Sequence, residues 1–193
     1  MKVSQQIVGV NQRLGNSAVP NMQGTTRAIF DTQTRTATVN QTLTFFAGVS
    51  ARVYPLTNIS QNKFEVGESL AIQGISYMFR PTTISTLADF FTGSASNAGT
   101  FTESLLLNFY IGNQRVIKDM EIGSYAKFNV GEVAGLANTN GGNVIRLETP
   151  IIIPPQIEYY ATIRQTCQAA GSEQSLVLCL FGTGTLLNTK SNF

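Results

Sequence analysis

The chain has no histidine and no tryptophan, and only 12% of its 193 residues are charged. Without histidine there is no Ser-His-Asp or Cys-His nucleophilic arrangement and no histidine-bearing zinc site. Two cysteines cannot build a four-thiolate metal centre. No Walker loop, dinucleotide fingerprint or Asp-x-Asp-x-Asp-Gly calcium loop is present. The sequence assigns no catalytic, cofactor-binding or metal-binding residues, and the protein is expected to work without an enzyme's chemistry. The first residues, Met1-Lys2-Val3-Ser4-Gln5-Gln6, lack the apolar stretch of an export signal, and no run approaches the length of a membrane-spanning helix. Cys167 and Cys179 flank the turn Gly171-Ser172-Glu173. They are read as free thiols, because cross-strand geometry rarely suits a disulfide.

What is present is uncharged polar residues between short β-branched and aromatic runs. A hydrophobic content of 42%, with 12 Phe and 6 Tyr, marks a folded chain. Its length suits one domain with a sound core. The formal net charge is +2. Residues 1–35 hold four basic residues (Lys2, Arg13, Arg27, Arg35) against Asp31, and the remainder is close to neutral. Four bases spread so thinly do not make a genome-packing arm, so no strong direct nucleic-acid binding is expected. Low net charge weakens colloidal repulsion and favours association.

Residues 1–24 read as an N-terminal arm or extended segment, and residues 25–193 as a single β domain. Asp31-Thr32-Gln33 reads as a turn. Thr34–Phe46 alternates, with Ala37, Val39, Leu43 and Phe45 on one face, and predicts one half-buried strand. Val49–Tyr54 predicts a short strand stopped by Pro55. Ser69–Arg80 predicts a long strand with a bulge at Gly74. Thr83–Phe91 is the best helix candidate. Glu103–Ile111 and Gln114–Lys118 are joined by the hairpin turn Gly112-Asn113. Asn138–Asn143 is another turn. Pro150–Pro155 is an edge or bent segment, and Gln156–Cys167 with Ser175–Leu187 predicts a hairpin. Eight to ten strands, with at most one or two short helices, imply an all-β antiparallel sandwich of jelly-roll type. A compact double jelly roll would leave very short loops.

Four features are weighed for chemistry. Gly182-Thr183-Gly184-Thr185 is read as a bulge or close sheet contact, since no helix follows to receive a phosphate. The carboxylate pairs Asp119/Glu121 and Glu65/Glu68 are the remaining acid–base candidates, and surface charge is the commoner role. The absence of tryptophan weighs against a sugar-binding platform; Tyr54, Tyr77, Tyr110, Tyr125, Tyr159 and Tyr160 could substitute, but a buried ring with its hydroxyl bonded at the edge is the favoured reading for them. Tyr159 and Tyr160 point to opposite sides of one strand, so at most one is core. Asn40 and Asn58 match the glycosylation triplet, here by chance in a Thr- and Asn-rich chain.

Two stretches, Asn108-Phe-Tyr-Ile-Gly-Asn-Gln-Arg-Val-Ile-Lys-Asp119 and Leu147-Glu-Thr-Pro-Ile-Ile-Ile-Pro-Pro-Gln156, resemble jelly-roll structural proteins of small tailless icosahedral bacteriophages, some with an internal membrane. The resemblance covers the last half of the chain and carries over no functional residues. It implies a capsid or vertex protein of the virion, assembled in the host cytoplasm. Its partners would be copies of itself as a trimer or pentamer, other virion proteins and, in membrane-containing members, the bilayer. The other reading is a receptor- or carbohydrate-binding sandwich of a spike or fibre. A carboxylate-based hydrolase is the third.

Overall fold

The computed structural model describes residues 22–35, 41–80, 105–122, 143–165 and 174–187. The helix expected at Thr83–Phe91, the turn expected at Asn138–Asn143 apart from Asn143 itself, Tyr125 and Cys167 lie outside them. Eight strands are present among the described residues: β1 (Met22–Arg35), β2 (Thr42–Phe45), β3 (Ser69–Arg80), β4 (Leu105–Ile111), β5 (Gln114–Glu121), β6 (Asn143–Ile153), β7 (Tyr159–Gln165) and β8 (Gln174–Leu187). They form two four-stranded antiparallel sheets, ordered β1-β8-β3-β6 (sheet A) and β2-β7-β4-β5 (sheet B). Strand 1 pairs with 8, 2 with 7, 3 with 6 and 4 with 5. This is one long hairpin rolled so that alternate pairs fall in facing sheets, the jelly-roll sandwich. β1 begins at Met22, so the division drawn after residue 24 falls inside that strand.

Alternate side chains of the strands point between the sheets and supply the core, as period-two geometry requires. Sheet A contributes Ile29, Leu70, Ile72, Ile75, Tyr77, Ile145, Ile153, Leu176, Leu178 and Leu180, and sheet B contributes Leu43, Phe45, Leu105, Leu107, Phe109, Ile117, Ala161 and Ile163. Tyr159 stands among Phe46, Phe64 and Phe109, with ring centroids 5.9, 5.2 and 6.4 Å away. Tyr77 keeps its buried hydroxyl satisfied by donating to the carbonyl of Ile122 at 2.9 Å.

Ser69–Arg80 is a strand over the expected span, and its pairing shifts register between Ile72 and Gly74 as a bulge. The glycine pair in β8 is a close sheet contact, because a Cβ at Gly182 would run into the backbone carbonyl of Ala71. The Gly112-Asn113 hairpin is present, with Gly112 at φ 55°.

Four expectations are corrected. Asp31-Thr32-Gln33 is not a turn; it lies inside β1, and Asp31 is fully buried. Thr34–Phe46 is not one strand, because Thr34 and Arg35 end β1 in sheet A while Thr42–Phe45 form β2 in sheet B. Core-facing positions are odd-numbered in both (Ile29 and Asp31, then Leu43 and Phe45), so the alternation gives no sign of the change of sheet. The segments carrying β7 and β8 are not a hairpin; they are consecutive in sequence but lie in opposite sheets, each with other partners. Val49–Tyr54 likewise holds a 3-10 turn at Val49–Ala51 in place of a strand, entered through Phe46 (φ 65°) and Gly48 (φ 60°).

Candidate functional site

A sandwich has four strand edges, and an open edge invites pairing with any other chain. Here they are blunted. Along β1, Asn58 accepts the Phe30 N–H at 2.8 Å and donates to the Ala28 carbonyl at 2.8 Å, while Thr57 donates to the Phe30 carbonyl at 2.9 Å. The segment after β2 thus closes that edge, and Asn58 does this work with the side chain of its glycosylation triplet. β2 is four residues long. β6 carries Pro150, which offers no N–H. β5 is bulged at Asp119, whose φ is 46°. What remains for recognition is the two outer faces and the loops.

The outer face of sheet A carries a mostly apolar row with a charged residue, Arg146, beside it. Register places Phe30, Cys179, Ser76 and Val144 in one row across four strands, flanked on one side by Ala28, Phe181, Gly74 and the exposed Arg146, and on the other by Thr32, Val177 and Met78, of which Thr32 and Val177 are buried. Tyr54 extends the first row past the β1 edge, its ring set edge-on to Phe30 at 6.5 Å. Val53 and Tyr54 are 75% and 56% exposed, and Val144 at the far end of the row is 45% exposed. Cys179 is a free thiol whose pKa is pushed up by burial. Burying the exposed part of this row against another protein gains about 25 cal/mol per Å², and the one ion beside it, Arg146, stands at the β6 edge where it can stay in water.

The outer face of sheet B is polar. It presents Thr42, Thr44, Thr162 and Arg164, and a cluster centred on Asn108. The Asn108 amide oxygen accepts the Asp119 N–H at 2.9 Å and an Arg115 guanidinium N–H at 3.2 Å, and its NH₂ donates to the Asp119 carboxylate at 3.2 Å. Beside it stand Tyr110 and Tyr160, stacked at 4.5 Å between centroids and 7° between planes.

The sequence-nominated acids divide between these surroundings. Asp119 is held by Asn108 on the outer face of sheet B, and Glu121 accepts the Leu105 N–H at 3.2 Å. Glu65 and Glu68 bracket a turn closed by the Glu68 N–H on the Glu65 carbonyl at 3.0 Å. Both line a cleft of about 130 Å³ with Arg27, Lys63, Phe64 and Tyr159. Glu68 is neutralised there by Arg27 at 2.9 Å, and the Arg27 guanidinium lies 4.5 Å over the Phe64 ring. Tyr159 is the core member of the tyrosine pair and Tyr160 the half-exposed one. Burial drives the Tyr159 phenol pKa upward, and its hydroxyl has no hydrogen-bond partner among the described residues. No group of three or more potential metal ligands occurs among the described residues.

One residue escaped the sequence reading. Asp31, on the core side of β1, accepts the N–H of Thr32 at 3.0 Å, that of Phe46, and both arms of the Arg52 guanidinium at 3.1 and 2.7 Å. Arg52 also donates to the Ala47 carbonyl at 3.0 Å. One carboxylate in sheet A therefore fixes the turn that leaves β2 in sheet B, and with it the segment that presents Val53 and Tyr54. Burial pushes the Asp31 pKa up, with the Phe46 N–H, Arg52 and Gln33 pulling against it. The signal in the sequence was weak: a single acid at a core-parity position, with an arginine 21 residues later.

No protein-family model, curated protein or solved structure matches this chain.

Proposed function

We propose that this protein is a structural subunit of a virion shell, a capsid or vertex protein that works by association with its own copies and not by catalysis. The observation that carries the reading is the apolar row Val144–Ser76–Cys179–Phe30–Tyr54 on the outer face of sheet A, continued by Val53 on a turn that Asp31 and Arg52 hold in place. A chain with 12% charged residues desolvates such a face at modest cost. Blunted edges keep the association on faces and loops, so subunits join in a closed arrangement and not by open-ended strand pairing. The partners on this reading are further copies, as trimers or pentamers, and other virion proteins, in a particle assembled in the host cytoplasm. The bacteriophage resemblance of Asn108–Asp119 and Leu147–Gln156 points the same way and extends to a bilayer beneath the shell.

Sedimentation of the purified chain across concentrations tests this. Mass should rise above the monomer as concentration increases. A monomer at every concentration, with no recruitment into particles, would end the proposal. Removing residues 1–21, which stops short of β1, should leave the sandwich folded and weaken assembly.

A further inference from the structure

On the polar face of the molecule, the geometry points to a binding site for a single hexopyranose residue, built on Tyr110 and Tyr160. The two rings stand on neighbouring strands, directly opposed in register, and stack nearly parallel at 4.5 Å. Each ring covers one face of the other, and together they form a rigid two-ring slab. Rings held this way lose little conformational freedom when a ligand docks, which is the main cost of recruiting flexible side chains.

Beside the slab is a hollow of about 340 Å³, lined by Tyr110, Tyr160, Gly112, Asn113 and Glu158. Its floor is fixed by the Gly112 N–H, which donates to the Glu158 carbonyl at 2.7 Å and so ties the tip of the β4–β5 hairpin to the start of β7. Gly112 sits at φ 55°, a conformation that disfavours any side chain.

The chemistry on offer matches a sugar better than other small ligands. The electron-rich ring faces attract the weakly positive C–H edge of a pyranose. Asn113 supplies a donor and an acceptor, Glu158 supplies acceptors, and both phenols supply either. A cation would use the rings and Glu158 but would leave the Asn113 NH₂ and the phenolic O–H groups without a role. A neutral ring with hydroxyls around its rim uses all of them. A ligand of this kind fits the usual pattern of a few polar groups set around an apolar contact. The site lies on the outer face of sheet B and does not rest on the shell reading.

The experiment is saturation-transfer NMR on the intact chain with methyl pyranosides of glucose, galactose, mannose and N-acetylglucosamine, and with tetramethylammonium as the competing probe. At least one pyranoside should receive transfer at its ring C–H protons with millimolar affinity, about −4 kcal/mol. Affinity should fall about tenfold in Tyr160→Ala, and measurably in Glu158→Ala and Asn113→Ala, whose exposed side chains can be lost without unfolding the sheet. Tyr54→Ala, on the opposite face, should bind like the wild type. With no tryptophan in the chain, tyrosine emission reports the same titration independently. The inference is overturned if no pyranoside receives transfer, if the signal survives Tyr160→Ala and Glu158→Ala alike, or if only tetramethylammonium binds.

Discussion

The two sheets solve one problem with different chemistry. The β3–β8 ladder of sheet A shifts register once and the β4–β5 ladder of sheet B twice, and an extra residue must be seated each time without leaving a flaw in the ladder. In sheet A the shift between Ile72 and Gly74 is seated by close approach. The Phe181 ring lies directly on Gly74, and Gly182 lets β8 come up against the Ala71 carbonyl. In sheet B the bulge at Asp119 is seated by hydrogen bonds, with Asn108 taking the Asp119 N–H and returning its own NH₂ to the carboxylate. One bulge leaves an aromatic face outward and the other leaves an amide, an acid and an arginine. The outer surfaces inherit that difference. Sheet A turns a mostly apolar row outward, and sheet B an amide–acid–arginine cluster beside two stacked tyrosines.

The largest effect is expected where the two sheets are joined. Asp31→Ala would strip Arg52 and the Phe46 N–H of their acceptor and should cost about 3 kcal/mol in urea unfolding. A loss under about 1 kcal/mol would mean that the sheets are held by apolar packing alone. Gly182→Ala comes next. Its methyl meets backbone, which cannot swing aside, so a loss of about 2–3 kcal/mol is expected. Asn108→Ala should cost less, about 1–2 kcal/mol, because water can reach the exposed Asp119 and Arg115 that it leaves behind. Equal costs for Gly182→Ala and Asn108→Ala would erase the contrast between a bulge seated by close packing and one seated by polar bonds.

The smallest effect is one of pH. With the folded pKa of Asp31 raised above its unfolded value, the folded state binds that proton more tightly. The stability this linkage contributes is therefore full below the ordinary carboxylate pKa of about 4 and is lost as pH rises through the raised value. The thermal midpoint of the wild type, measured against Asp31→Asn, should decline as pH rises from about 4 toward neutrality. A midpoint difference that grows with pH would show that the Arg52 attraction outweighs burial.

Much of this was legible along the chain. β3 could be read over its whole length, as could its bulge, the Gly112-Asn113 turn and the tight contact at Gly182, because each depends on local pattern or on glycine. The corner between β1 and β2 could not. Both strands face the same core, and the core-facing positions are odd-numbered on either side of the corner. The pairing of β7 and β8 was hidden for a related reason: a jelly roll sends successive strands to opposite sheets, while alternation reports only which side is buried. By pattern Asp31 reads as a turn former, since Asp side chains can cap their own backbone, and its partner Arg52 lies within a stretch that reads as strand. The tyrosine pair was half visible. The opposed directions of Tyr159 and Tyr160 follow from strand geometry, but the meeting of Tyr160 with Tyr110 depends on register.

The central claim is that the apolar outer face of sheet A, and not the polar face of sheet B, joins this protein to its own copies. A matched pair of exposed substitutions tests it, Tyr54→Asp beside the apolar row and Thr44→Asp on the opposite sheet, each followed by sedimentation over a range of concentrations. The account predicts that Tyr54→Asp stays monomeric where the wild type associates, while Thr44→Asp associates like the wild type. Association lost in Thr44→Asp and kept in Tyr54→Asp would contradict it.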